Sequence, residues 1–304
     1  MISPTATSAE LAVTDAPPTV PPVTRATVWT LIIRPQTQWF DLQLGGLWRY
    51  RDLVMLFVQR DFVSQFRQTI FGPLWFIIQP LLTTLTFTVI FGNVAQLSTD
   101  GAPKVLFYLS GVTAWNYFAD CLTKTSDTFM ANANIFGKVY FPRLAVPVSI
   151  VISSLGRLGI QLILLLGFYL YFLARGAAIH PTLALGLLPV LILLMAALGL
   201  GSGIIVSSLT SRYRDLRHLV QFGVQLLMYS TPVILPLSKI PEHYRWLVLA
   251  NPMTSLIETF RYALLGTGSF NWVALSASTV VSAIILAAGV LLFNRQEKTF
   301  MDTI

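Results

Sequence analysis

Apolar residues along this chain gather into six long runs, at about residues 73–94, 105–122, 145–173, 182–209, 218–235 and 272–293. About 20 mostly apolar helical residues cross a bilayer core, so each run predicts a membrane-spanning helix. The third and fourth are long enough to tilt or to extend past the bilayer. Between the fifth and sixth runs, residues 236–270 contain the apolar stretch Trp246 to Ala250, which as a seventh span would reverse the C-terminus. Such a span would put Pro241, Pro252, Glu242, Arg245, Glu258 and Arg261 at membrane depth, at high cost. Two short interfacial or re-entrant helices meeting at Asn251-Pro252 fit the pattern better. Glu258 and Arg261 then lie one turn apart and can neutralise each other.

Upstream of the first run, residues 48–70 predict an amphipathic helix lying on the membrane surface. Met55, Val58, Phe62 and Phe66 share one face, Arg60 and Arg67 lie opposite, and Leu53, Leu56 and Phe57 interrupt the polar side. Gly72-Pro73 supplies the corner into the first span. The first 24 residues hold five prolines and no aromatic, which predicts a disordered leader. The expected division is a leader and interfacial segment over 1–45 and a membrane domain over 46–304. No basic start followed by an apolar run marks a secretory signal, which keeps the N-terminus in the cytosol. Ten basic residues near span ends (Arg60, Arg67, Lys124, Lys138, Arg143, Arg212, Arg214, Arg217, Arg295, Lys298) fall on one side, against five (Lys104, Arg175, Lys239, Arg245, Arg261) on the other. Basic residues favour the cytosolic side, so both termini are expected there. The expected fold is all-α: six transmembrane helices, an N-terminal interface helix and short re-entrant helices between spans five and six.

Composition narrows the function. At 55% hydrophobic and only 11% charged, with a mean hydropathy of +0.69, the chain is an integral membrane protein. Its net charge of +7 suits basic edges beside anionic lipid. No Lys/Arg-rich run supports nucleic-acid binding. The single Cys121 excludes an intrachain disulfide and a multi-thiolate metal site. His180, His218 and His243 lie in separate segments without metal-ligand spacing, so no metal is expected. Gly137-Lys138 lacks the upstream glycine and following Ser/Thr of a phosphate-binding loop, so ATP is not bound by that route. Gly199-x-x-x-Gly203, followed by Ser207, predicts close helix packing.

Few residues remain as candidates for chemistry. Asp120 reads as an interfacial ion pair with Lys124 at i+4, or as part of a proton relay. Arg157, deep in span three, needs a partner, water or an anionic ligand; a conduit and a structural bond are both open. His218, Gln221, Gln225 and Tyr229 form a polar stripe on span five, suited to lining a polar path or to bonding between helices. Phe107, Tyr108, Trp115, Tyr117 and Phe118, with Asn116 among them, cluster in span two. Aromatic faces beside hydrogen-bonding groups suit sugar rings, and an interfacial belt or core packing is the alternative.

The order of several strings then resembles one family over nearly the whole chain beyond the leader. Trp48-Arg49-Tyr50-Arg51-Asp52-Leu53, Arg60-Asp61, Gly72-Pro73-Leu74-Trp75 and Gln79-Pro80-Leu81 are similar to the interface helix and first span of ABC-2 type permeases of polysaccharide exporters. Asn132-Ala133-Asn134 through Lys138-Val139-Tyr140-Phe141-Pro142-Arg143 resembles the family's cytosolic coupling segment, and Tyr213-Arg214-Asp215-Leu216 its second cytosolic turn. Thr231-Pro232-Val233, Asn251-Pro252 and Phe260-Arg261 resemble its outer loop and short helices.

The resemblance implies a membrane subunit exporting lipid-linked O-antigen or teichoic-acid-like chains across a bacterial inner membrane. It further implies a homodimer joined to two copies of a separate ATP-binding subunit, which would hold ATP and Mg. The family's channel is lined by aromatics, which directs attention to the span-two cluster. On that basis Arg60, Arg67, Lys138 and Arg143 are expected to attract the pyrophosphate of an undecaprenyl-linked glycan. Arg157, Gln221 and Gln225 are expected along the channel, and Asn134, Phe136, Lys138, Tyr140, Arg214 and Asp215 at the ATPase contact. An ABC-2 pump for a drug or small lipid is the first rival. An ion-coupled carrier or channel is disfavoured by the scarcity of membrane carboxylates, and an enzyme acting on polyprenyl phosphates by the lack of an acidic metal-binding cluster.

Overall fold

A computed structural model of the chain describes residues 48–67, 69–136, 141–210 and 215–300. The expected leader, residues 1–45, lies outside them. Among the described residues every regular element is helical. In chain order these are α1 (Arg51–Ser64), α2 (Trp75–Phe87), α3 (Lys104–Ser126), the short α4 (Thr128–Ala131) and α5 (Ala133–Phe136), α6 (Ala145–Ala174), α7 (Leu188–Thr210), α8 (Leu216–Tyr229), α9 (Glu242–Leu249), α10 (Pro252–Leu265) and α11 (Trp272–Phe300). The turn Gly72–Leu74 leads into α2, and a π-helical stretch, Thr88–Val94, continues it.

Among the described residues four helical segments are long and apolar enough to cross a membrane: Gly72–Val94, Ala145–Ala174, Leu183–Thr210 and Trp272–Arg295. The two other expected spans depart from that description for different reasons. Helix α3 has the length, but Lys104, Asp120, Lys124 and several hydroxyl residues dilute its apolar content. It packs against α2, α6, α7, α8 and α10, and both its aromatics and its hydroxyl residues are largely buried. A helix surrounded by other helices needs no continuous apolar exterior. Helix α8 stops at Tyr229, short of the expected 235, and its 14 residues span about 21 Å.

Glycines set the closest approaches. A Cβ on Gly199 would come within 2.6 Å of the Cys121 Cβ, and one on Gly203 within 2.8 Å of the Leu122 carbonyl oxygen, so α7 lies directly on α3. A Cβ on Gly201 would sit 2.7 Å from the Leu286 backbone, and one on Gly289 2.6 Å from the Gly201 oxygen. The small-residue stripe read from the sequence therefore seats α7 between α3 and α11.

The two short helices meet at Asn251-Pro252. The Asn251 side chain accepts a hydrogen bond from the Met253 N–H at 3.0 Å, Pro252 occupies the first turn, and α10 ends at Gly266 with φ 71°. These are strong start and stop signals. Helix α1 forms as expected but presents a partly different face. Val54 and Phe57 are buried, against α6, while Met55 is 55% exposed. Of the interruptions in the expected polar side, Phe57 joins an aromatic cluster with Phe141 and Phe136 and Leu56 stays exposed, while Phe62 and Phe66 of the expected face pack against Gly156 and Phe76.

Candidate functional site

Three helices enclose an open cavity of about 500 Å³. Helix α2 contributes Leu82, Thr83, Thr86 and Phe87, α3 contributes Trp115 and Asn116, and α8 contributes Gln221, Val224, Gln225, Met228 and Tyr229. Residues three and four apart share a helix face, which is why 82, 83, 86 and 87 line one wall and 221, 225 and 229 another. The Thr83 hydroxyl donates to the Gln79 carbonyl at 3.0 Å and keeps lone pairs free to accept. Asn116, Gln221 and Gln225 make no side-chain hydrogen bond among the described residues, so their carboxamides offer both donors and acceptors to a guest. Trp115, only 3% exposed, adds an indole to the lining.

The cavity unites two features noted separately in the sequence, the polar stripe of span five and part of the span-two aromatic cluster. Of the five aromatics, Trp115 alone lines it. Phe107, Tyr108, Tyr117 and Phe118 are buried in the core, with Phe107 beneath the Arg261 guanidinium at 3.7 Å and Tyr108 edge-on to Phe107 and Phe87. Thr83 and Thr86 were not singled out. Their signal is the spacing Gln79, Thr83, Thr86, a polar line along an otherwise apolar span.

Arg157 lies outside the lining. Its Nη1 donates to both Asp120 carboxylate oxygens at 2.9 Å, its Nη2 donates to Gln79 Oε1 at 2.9 Å, and the guanidinium stands over the Phe76 ring at 5.2 Å. Both charges are largely buried, and burial makes a charge-assisted bond across helices strongly preferable to an unpaired ion. Asp120 therefore pairs with Arg157 on α6, and the expected pairing with Lys124 is replaced. Lys124 Nζ instead donates to Gln65 Oε1 at 3.4 Å, just beyond α1.

The basic residues expected to attract phosphate are distributed as follows. Arg60 bonds Asp61 at 2.9 Å and Asn132 at 3.3 Å and lies over Phe57. Arg143 is buried over Phe136, at 5.6 Å, so both arginines stand on rings of the same aromatic cluster. Arg67 is exposed at the end of α1. Lys138, Tyr140 and Arg214, and the side chain of Asn134, lie outside the described residues. Phe136 is buried in the aromatic cluster, and Asp215 is exposed at the start of α8, where a carboxylate is favoured by the helix dipole. Nearby, Arg217 Nε meets Asp127 Oδ2 at 3.0 Å, joining the end of α3 to the start of α8. Burial pushes the Asp127 carboxyl up, and Arg217 opposes that shift.

At the other end of α3, Glu258 and Arg261 form a buried pair at 3.2 Å, as their spacing predicts. Glu258 also accepts from the Leu237 and Ser269 N–H groups at 3.4 and 3.2 Å, while Arg261 donates to the Pro232 carbonyl at 2.8 Å. One turn of α10 thus holds the segments around 232, 237 and 269.

Residues 52–265 match the family model for the ABC-2 type transporter. Among curated relatives, the O-antigen export system permease protein RfbA of Klebsiella pneumoniae is 29% identical over 252 residues, covering 83% of this chain and 94% of that protein. RfbA of Myxococcus xanthus is 29% identical over 262 residues, covering 85% and 97%. The polysialic acid transport protein KpsM of Escherichia coli is 22% identical over 245 residues, covering 80% and 93%.

Proposed function

Since the chain belongs to the ABC-2 type transporter family, we propose that it is the membrane-spanning permease subunit of an ATP-driven exporter moving an O-antigen-like, lipid-linked polysaccharide out of the cytosol. Relatives named as O-antigen export permeases match over more than four-fifths of its length. The observation that carries the reading to particular residues is the cavity where Trp115 meets the carboxamides of Asn116, Gln221 and Gln225. Carbohydrate has apolar ring faces and hydroxyl edges, and an indole beside amides complements both.

In this reading α3 and α8 complete a six-span domain in a bacterial inner membrane, α9 and α10 are re-entrant from the outer side, and both termini are cytosolic. ATP and Mg are held by a separate subunit, present as two copies with two copies of this chain. That subunit docks near residues 132–143 and 211–217, where the Asp127–Arg217 pair links α3 to α8 and so reaches a cavity wall. The undecaprenyl pyrophosphate is drawn by basic residues around Arg60, Arg67, Lys138 and Arg143, and the sugar chain then passes the cavity. Guanidinium groups suit pyrophosphate because they donate in a planar fork.

The test is deletion and complementation in the source cell. Loss of the chain is expected to leave finished polysaccharide inside the cell. Trp115→Ala with Gln225→Leu is expected to lower surface polysaccharide at least tenfold while leaving co-purification of the ATP-binding subunit intact. Normal surface polysaccharide in the deletion strain would overturn the reading.

A further inference from the structure

The cavity mixes apolar walls with uncharged hydrogen-bonding groups. Its hydrogen-bonding groups are the carboxamides of Asn116, Gln221 and Gln225, the hydroxyls of Thr83, Thr86 and Tyr229 and the indole of Trp115, and among the described residues no Lys, Arg, His, Asp or Glu lines it. One helical turn beyond Asn116 stands Asp120, closed off by Arg157 at 2.9 Å. One turn before Gln221 stands Arg217, paired with Asp127 at 3.0 Å. Asp120 and Arg217 are thus paired within the protein, while His218, one turn before Gln221 on the same stripe, is exposed outside the lining.

We propose that this cavity selects an uncharged polysaccharide, with Gln221 and Gln225 as the residues that set the selection; the inference rests on the glycan reading above. A carboxylated sugar entering the cavity leaves much of its hydration behind and finds no cation to replace it. Burying an ion without a partner is costly, whereas neutral hydroxyls exchange water for amide and threonine partners. The low-dielectric surroundings sharpen the difference. At about 500 Å³ the cavity lies within the ordinary range for ligand sites, about 300–1,000 Å³. Discrimination comes from charge, and a single cation in the α8 wall is enough to change it.

The full-length chain, co-purified with its ATP-binding subunit and placed in lipid nanodiscs, is probed by saturation-transfer NMR, which detects weak binding. The probes are maltohexaose, which is neutral, and α2,8-linked hexasialic acid, which carries a carboxylate on every residue. Maltohexaose is expected to give a signal at least fivefold above hexasialic acid, and Gln221→Leu with Gln225→Leu is expected to reduce it at least threefold. Gln225→Lys is expected to raise the hexasialic acid signal at least fivefold. Equal wild-type signals from the two probes would overturn the charge selection and leave the glycan reading standing. A neutral preference that Gln225→Lys leaves unchanged would place discrimination elsewhere and overturn the proposal. Absence of signal from both probes would sink the glycan reading itself, and this inference with it.

Discussion

Three ion pairs in this protein share one chemistry and differ in burial. Glu258–Arg261 has side chains 3% and 1% exposed, Asp120–Arg157 has 16% and 14%, and Asp127–Arg217 has 21% and 51%. The first is local, three residues apart, and its remaining bonds go to the backbone of neighbouring segments. The second joins two helices 37 residues apart and brings in Gln79 from a third. The third lies at a helix junction with an arginine half in solvent. As burial falls, the cost of losing one partner should fall with it, because the uncompensated charge is better solvated.

The most damaging way to break this order is to remove one member of the innermost pair. Glu258→Ala or Arg261→Ala is expected to destabilise by about 3–5 kcal/mol, read as loss of monodisperse protein by fluorescence-detection size-exclusion chromatography. Arg157→Ala should cost less, about 1–3 kcal/mol, and the double change Asp120→Asn with Arg157→Gln should restore part of it in a thermal melt. If Arg157→Ala proved more damaging than Arg261→Ala, burial would not be what ranks these pairs.

The smallest effect belongs to Asp127–Arg217, where Arg217→Ala should cost no more than about 1 kcal/mol. Its pH dependence sharpens the comparison. Burial holds the Asp127 carboxyl above the usual carboxylate range. Between the unfolded and folded values the folded protein keeps a proton that the unfolded chain has released. Stability contributed by this group therefore falls as pH rises through that window. Asp127→Asn is expected to remove this fall without lowering the melting temperature at neutral pH, and Arg217→Ala to widen the window. Melts between about pH 4 and 8 in detergent read both.

The difference among the pairs also marks what the sequence made legible. Glu258–Arg261 is visible because both partners occupy one helical turn, and the same local logic gives the break at Asn251-Pro252 and the stripe of Gly199 and Gly203. Asp120 offered one local partner, Lys124, and took a distant one instead. No helical spacing relates residue 120 to 157; the packing of α3 on α6 does. The face of α1 is only partly legible for a similar reason. Val54 and Phe57 turn inward because Phe141 and Phe136 wait there, a partner that α1's own periodicity does not record. Within the cavity, the stripe on α8 was readable at spacings of three and four. The separation of Trp115 from its four aromatic neighbours depends on which side of α3 the other helices cover.

The glycine contacts of α7 have a mechanical consequence. With backbone against backbone at Gly201 and Gly289, and Gly199 and Gly203 set against Cys121, Thr125 and the Leu122 carbonyl of α3, only small or short side chains stand between these helices. The trio α3, α7 and α11 is thus the most closely seated part of the fold. Two of the cavity's three walls, α2 and α8, lack such seams and show Leu82, Leu85, Leu219, Phe222 and Leu226 largely uncovered. If the cavity is a passage, as proposed, widening it by moving these two walls about the α3, α7 and α11 trio disturbs fewer close contacts than parting the trio itself.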